Sequence, residues 1–317
     1  MTTRTDQGLT VRWHARGLNN GLIFAATYHG VTRLPRPCSY ALGHVGTWIA
    51  YHLQRDGTRA LVENFRVVKP DAPERELERL ALRTYRSYAR DTIDFIRGLR
   101  FTRGELEPLV AEFHSHRFDE LLAEGRGVIL VGGHFGNWEL GGLAIRLLRG
   151  YPLTVVGRPE PSPIVDGFRR RMRDGLGIET VQIGRMLETA LQIRRALAEN
   201  GVVAMLLDRH VGRDRIEVTF FGRPALFLRS PAMIAYLSGA PMLPSFMIRQ
   251  PDGRFAGVCG ESIRPDTSLS PDESVLAMTQ AFAAELERRI REHPHLWYQF
   301  YPYWGSYSGQ AGRSMTR

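Results

Sequence analysis

The sequence predicts an α/β protein: a mainly parallel central sheet flanked by helices, preceded by an N-terminal helical segment. From residue 127 onward, apolar runs of strand length alternate with amphipathic runs of helical length, the pattern of strand–helix–strand units. Before residue 126 the apolar residues recur at helical spacing instead. A chain of 317 residues, 43% hydrophobic and 24% charged, can also bury a core large enough for such a fold.

Taken in order, "PERELERLALRTYRSYARDTIDFIRG" places Leu77, Ala81, Tyr88 and Phe95 at helical spacing, with Gly98 as a stop. "RGELEPLVAEFHSHRFDELLAEG" reads as a second helical stretch ending at Gly125. "GVILVGG" is a buried strand, and "WELGGLAIRLLRG" a helix ending at Gly150. "PLTVVGR" is a strand, "PIVDGFRRRMRDGLG" a helix and "TVQIG" a short strand. "RMLETALQIRRALAENG" is a helix closed by Gly201, and "VVAMLLD" a strand that runs into an acid. "RIEVTFFGRPA" is extended. "SPAMIAYLSG" is a short helix with Ser230 as cap and Pro231 at its first position. "APMLPSFMIRQPDGRFAGVCGESI" gives two strands joined at Pro251-Asp252-Gly253. A last helix carries Val275, Met278, Phe282, Leu286 and Ile290 on one stripe, and the aromatic "HPHLWYQFYPYW" follows. The organisation expected is a helical, membrane-associating segment over 1–125, an α/β core over 126–305 and a flexible tail over 306–317.

The net charge is +9, and Lys69 is the one lysine among 42 basic residues. Arginine grips phosphate and carboxylate with two donors at once, so an acidic partner is implied: nucleic acid, anionic lipid, a phosphorylated substrate or an acidic carrier protein. No nucleic-acid-binding module or regular basic–aromatic alternation supports the first of these. Cys38 and Cys259 stand far apart with no metal-ligand spacing, which fits a reducing compartment. The N-terminus shows no signal peptide. The uncharged stretch "CSYALGHVGTWIAYHLQ" has 17 residues, two of them histidines, and falls short of a bilayer span. It reads as a buried helix or a membrane-surface segment.

In parallel sheets ligands bind at the carboxyl ends of the strands. His134, Arg158 and Asp208 each lie at or just past such an end. His134 sits among Gly132, Gly133 and Gly136, which leave room for a substrate and permit a tight chain path. A helix beginning near Asn137 turns its positive end toward the same place. Glu139, in the first turn, is positioned to accept a proton from one imidazole nitrogen and free the other to act as a base. By itself a histidine near a core is commonly a hydrogen-bonded filler, and the lesser alternative for Asp208 is a strand-end cap. Neither zinc nor serine-hydrolase chemistry is supported: the histidines form no ligand cluster, and "GSYSG" at 305–309 carries tyrosine where a nucleophilic serine is needed.

"GHFGNWELGG" resembles the first motif of the HxxxxD/E acyltransferases, in the branch of bacterial lipid A late acyltransferases and phosphatidylinositol mannoside acyltransferases. The likeness continues through "TRALVENFRVVKPDAPERELERLALRTYRSYARDTIDFIR", with its Asn64 and Pro70 landmarks. It extends through "VVGRPEPSPIVDGFRRRMRDGLG", "VAMLLDRHVGRDRIEVTFFGRPALFLRSPAMIAYLSGAPMLPSF" and the terminal "HPHLWYQFYPYW". The resemblance implies a glycerolipid acyltransferase-like fold. It further implies His134 as general base on an acceptor hydroxyl, Glu139 orienting and charging the ring, and direct attack on an acyl thioester without an acyl-enzyme. Arg158, Arg171, Asp208, Arg223 and Asn137 are the candidate substrate-binding residues. Arg169 to Arg171 could extend the grip on an anionic group or form a solvated helix face. No metal or cofactor is implied. The donor would be acyl-carrier protein or acyl-CoA, and the acceptor a membrane glycolipid, with a lipid A precursor first and a phosphatidylinositol mannoside second. Anionic inner-leaflet lipids would hold the protein peripherally at the cytoplasmic face of the bacterial inner membrane. A non-catalytic lipid-binding protein on the same fold is the reading from another class.

Overall fold

The computed structural model describes residues 21–159, 162–183, 186–210 and 212–304. The tail expected at 306–317 lies outside the described residues. Four helices come first: α1 (Gly21–Arg33), α2 (Arg36–Leu53), α3 (Arg55–Val68) and α4 (Glu74–Gly98). Helix α4 buries Leu77, Leu80, Ala81, Tyr85, Ile93 and Ile96, a stripe at helical spacing that packs inward because water is excluded from it.

The stretch from Arg103 to Gly125 departs from its helical expectation. A capping box of Thr102 and Glu105 starts one helical turn, but Pro108 removes a backbone donor and Val110–Phe113 becomes strand β1. That strand pairs in parallel with β9 (Phe255–Cys259), a contact between residues distant in sequence that outweighs local helix propensity. The sheet therefore begins before residue 126, inside the segment expected to be all helical.

After α5 (His116–Leu122) the alternation runs as the periodicity predicts. It comprises β2 (Val128–Gly132), α6 (Trp138–Ala144), β3 (Leu153–Gly157), α7 (Pro163–Gly175), β4 (Ile178–Gln182), α8 (Met186–Ala198) and β5 (Val202–Leu206). Past Ala144 the α6 segment widens into a π-helical turn over Ile145–Arg149, and Gly150 closes it in the left-handed region at φ 73°. A two-stranded hairpin of β6 (Ile216–Phe220) and β7 (Arg223–Phe227) follows. Next come α9 (Ser230–Ser238), β8 (Met242–Arg249), β9 and α10 (Pro271–Glu292). Ser230 is the first residue of α9, not its cap: its N–H donates to Asp214 Oδ1 and Arg229 holds the cap position.

The seven-stranded sheet has the order β1-β9-β8-β2-β5-β3-β4. Strands β8, β2, β5, β3 and β4 run in one direction, while β9 turns back antiparallel to β8 and carries β1 with it. Val128, Ile129 and Val131 of the central β2 are fully buried, as a strand covered on both faces requires. One core lies under α10, where Val275, Met278, Phe282, Leu286 and Ile290 are all buried; a second lies under α4 and α6, and a third joins α3 and α4 to Tyr298 and Phe300. Because β2, β5 and β3 are neighbours pointing the same way, the chain following each emerges at one common edge.

Candidate active site

That edge gathers His134, Asp208 and Arg158, which lie past β2, β5 and β3 respectively. The loop from Gly132 to Asn137 is tight for identifiable reasons. Gly136 adopts φ 63°, and a Cβ there would stand 2.3 Å from the Met247 carbonyl oxygen, so no other residue fits. A Cβ at Gly133 would meet Leu286 at 2.9 Å and the Asp208 carboxyl carbon at 3.4 Å. Asn137 then caps α6, accepting the Leu140 N–H through Oδ1 at 3.1 Å while Nδ2 donates to the Asp91 carbonyl at 3.2 Å. Both ends of its amide are engaged and the residue is buried. Its amide thereby ties the start of α6 to α4.

The imidazole of His134 meets a carboxylate, and that carboxylate is Asp208. Nδ1 lies 2.7 Å from Asp208 Oδ1, and the His134 backbone N–H is 3.0 Å from each carboxylate oxygen. Gln299 Nε2 donates to Oδ2 at 2.6 Å, Trp297 Nε1 points at the same oxygen from 3.3 Å, and the Tyr303 hydroxyl donates to the Asp208 carbonyl. Asp208 is wholly buried, whereas the His134 side chain keeps 21% of its surface exposed. Burial alone would raise the Asp208 carboxyl, but the neighbouring imidazole, Arg209 and the N–H donors outweigh it and hold it below the usual carboxylate range. An ionised Asp208 accepts hydrogen bonds only, so the ring proton resides on Nδ1 and the lone pair on Nε2. Burial, followed by the cation of Arg209, depresses the imidazole pKa against the opposing pull of Asp208. Nε2 is thereby kept as a free base at neutral pH.

Glu139, the ring partner that the HxxxxE spacing suggested, makes no hydrogen bond to the imidazole here. It turns toward α7, accepting from Arg169 Nη1 at 2.8 Å and from Arg173 Nη2 at 3.3–3.4 Å. Five residues along, its Cα has entered a helix whose first turn faces α7, whereas the strand end of β5 lies directly beside β2. Burial would raise the Glu139 carboxyl, yet the two guanidinium groups hold it below its ordinary value. In this geometry it joins two arginines of α7 to the start of α6.

The remaining candidates divide. Arg158 is exposed at the same sheet edge as His134. Arg171 is exposed on α7, with its guanidinium over the Phe168 ring at 5.8 Å. Arg223 stands at the hairpin turn, lining a groove with Glu273, Leu276 and Gln280, and so belongs to the hairpin–α10 face.

Several residues that order the site lie outside the candidates the sequence named for it. Gln299 and Trp297 reach Asp208 from the segment after α10. Arg209 Nε donates to Gln299 Oε1 at 3.0 Å, and its Nη2 to the Tyr298 carbonyl at 2.7 Å. The Tyr298 N–H donates to the His134 carbonyl at 2.9 Å, and its hydroxyl to Asp91 at 2.6 Å. Asp91 is also held by Arg249 at 2.6 Å, and Arg249 reaches Asp94 at 2.5 Å. Arg36 and the Tyr40 hydroxyl of α2 close on Asp94 at 2.9 and 2.6 Å. Asn64 staples the same terminal segment, donating to the Gln299 and Tyr301 carbonyls and accepting the Tyr303 N–H. The polar residues of "HPHLWYQFYPYW" were the available clue, since a glutamine buried among aromatics needs a partner.

A carboxylate-supported imidazole at the carboxyl edge of a parallel sheet defines a protein equipped to take a proton from a hydroxyl or similar group. Residues 11–306 match the family described as bacterial lipid A biosynthesis acyltransferase, and the chain belongs to that family. A phosphatidylinositol mannoside acyltransferase of Mycobacterium tuberculosis is 28% identical over 200 residues, which cover 63% of this chain and 61% of that protein. The protein of the same name from Mycolicibacterium smegmatis is 27% identical over 89% of this chain and 90% of its own length. The lipid A biosynthesis lauroyltransferase of Escherichia coli is 23% identical over 71% of this chain and 72% of its own.

Proposed function

We propose that the protein transfers a fatty acyl group from a phosphopantetheine thioester, on acyl-carrier protein or coenzyme A, to a hydroxyl of a membrane glycolipid. The observation that carries this reading is the 2.7 Å contact between His134 Nδ1 and the buried Asp208 carboxylate, with Nε2 left to face the substrate. Nε2 takes the acceptor hydroxyl proton while the oxygen attacks the thioester carbonyl. The resulting imidazolium is stabilised by Asp208 across Nδ1–H. Collapse of the tetrahedral intermediate breaks the C–S bond, and the imidazolium returns the proton to the departing thiolate. N–H groups and arginines at the sheet edge, Arg158 among them, stabilise the developing oxyanion. Holding both substrates in place supplies much of the rate. No cofactor takes part beyond the donor.

The relatives support two acceptors about equally: a phosphatidylinositol mannoside or a lipid A precursor. Either acceptor suits a protein attached peripherally at the cytoplasmic face of an inner membrane; no helix among the described residues is long and apolar enough to cross a bilayer. Mass spectrometry of lipids from cells with and without the gene identifies acceptor and chain together through the ester that disappears. A His134→Ala protein is expected to restore none of that ester. Full restoration by this variant overturns His134 as the base.

A further inference from the structure

Among the described residues eleven large hydrophobic side chains are exposed, and six of them fall between residues 34 and 53. The other five, Ile164, Leu191, Leu237, Leu269 and Leu276, are scattered singly, as on any protein surface. On α2 the exposed residues form a ridge. Leu42, Val45, Ile49 and Leu53 succeed one another at three- and four-residue steps, and Trp48 stands beside them, with exposures of 45% to 77%.

The opposite side of α2 is fixed. Ser39 and Thr47 are buried, and a Cβ at Gly43 would stand 2.7 Å from Ile93 of α4, so the helix lies close against its neighbour there. Arg36 and Tyr40 anchor the same side to Asp94. The helix therefore cannot roll its ridge inward without breaking a buried ion pair.

The charge around the ridge identifies what it fits. No charged residue follows Arg36 on α2, and exposed Arg33 and Arg55 stand at its two ends. Between residues 21 and 62 the chain has four arginines and a single acid, Asp56. Burial, followed by the cations of Arg90 and Arg86 on α4, pushes the pKa of the His44 imidazole on α2 down. An apolar ridge with an indole at its flank and cations at both ends has the makeup of a helix lying in the interface of an anionic bilayer.

We propose that α2 is an interfacial docking helix: Leu42, Val45, Trp48, Ile49 and Leu53 enter the acyl region of an anionic lipid surface while Arg33 and Arg55 engage its phosphates. This goes beyond peripheral electrostatic attachment by naming the inserted face. The lipid-acceptor reading supplies its purpose, but docking is measured without turnover, so the two can fail separately.

The test uses the full chain and phosphatidylglycerol vesicles whose acyl chains carry bromine, which quenches tryptophan only within the membrane. Bound wild-type protein is expected to be quenched, and Trp48→Phe to lose most of that quenching while still sedimenting with the vesicles. Val45→Ser with Leu53→Ser is expected to weaken vesicle partitioning at least about tenfold, and Arg33→Gln with Arg55→Gln to weaken it at low salt and make what remains less sensitive to salt. His134→Ala, inactive in transfer, binds as wild type. Equal quenching in wild type and Trp48→Phe overturns the assignment. So does a vesicle-free dimer that the two serine substitutions disperse, which would give the ridge to a second copy of the chain.

Discussion

At the residue scale the site rests on one carboxylate with an unusual number of donors. Asp208 receives the His134 backbone and ring, Gln299 and Trp297. Asparagine at this position substitutes a neutral amide that can donate, which removes the charge and permits the wrong imidazole tautomer. Asp208→Asn is expected to lower kcat on the order of a hundredfold or more, with a folded circular-dichroism spectrum. The pH profile follows from the direction of the His134 shift. The active form is the neutral base, and burial with Arg209 lowers its pKa, so the base persists as pH falls below the ordinary histidine value of 6.5. The acidic limb of kcat/KM is thus expected below that value. Arg209→Gln removes one cause of the depression and is expected to move the limb toward neutrality; an unmoved limb refutes the electrostatic role of Arg209.

At the element scale, the start of α6 joins two functions that the HxxxxE spacing had merged. The histidine belongs to the loop after β2, and the glutamate belongs to the α6–α7 contact. Glu139→Gln removes the carboxylate that Arg169 and Arg173 share. Discounted for the partial exposure of this group, the expected cost is about 1–2 kcal/mol, read as a lowered Tm. Activity falls with it, but the acidic limb stays in place, because Glu139 does not touch the ring. A shifted limb would return Glu139 to the role of ring partner. Gly136→Ala is a harsher change, combining a left-handed backbone with a close carbonyl. It is expected to cost about 3 kcal/mol or more, measured by denaturant unfolding.

At the scale of the whole molecule, the N-terminal helices and the sheet are tied by buried charge. Arg249 at the end of β8 joins Asp91 and Asp94 of α4, and Arg36 brings α2 to the same pair. Arg249→Met leaves Asp91 buried without its cation and is expected to cost about 3–5 kcal/mol, with early loss of protection in α2 and α4 by hydrogen exchange. This architecture also explains what could be read from the chain. The alternation of β2 through β5, the stripe of α10 and the placement of His134 at a strand end are local or periodic signals, and all were legible. The pairing of His134 with Asp208 needed the strand order, because 74 residues separate partners whose strands lie side by side. Gln299 and Asn64 were more remote still, since their partners lie 91 and 235 residues away along the chain. Strand β1 was hidden because its partner is β9, far along the chain.

The crowding of donors around Asp208 also couples distant parts of the chain at one point. The histidine follows β2, the carboxylate follows β5, and Gln299 and Trp297 follow α10. Without the segment after α10 the carboxylate would lack two of its donors, and the His134 carbonyl the Tyr298 N–H. Loosening that segment would therefore slacken the His134–Asp208 pair while leaving the ladder between β2 and β5 intact.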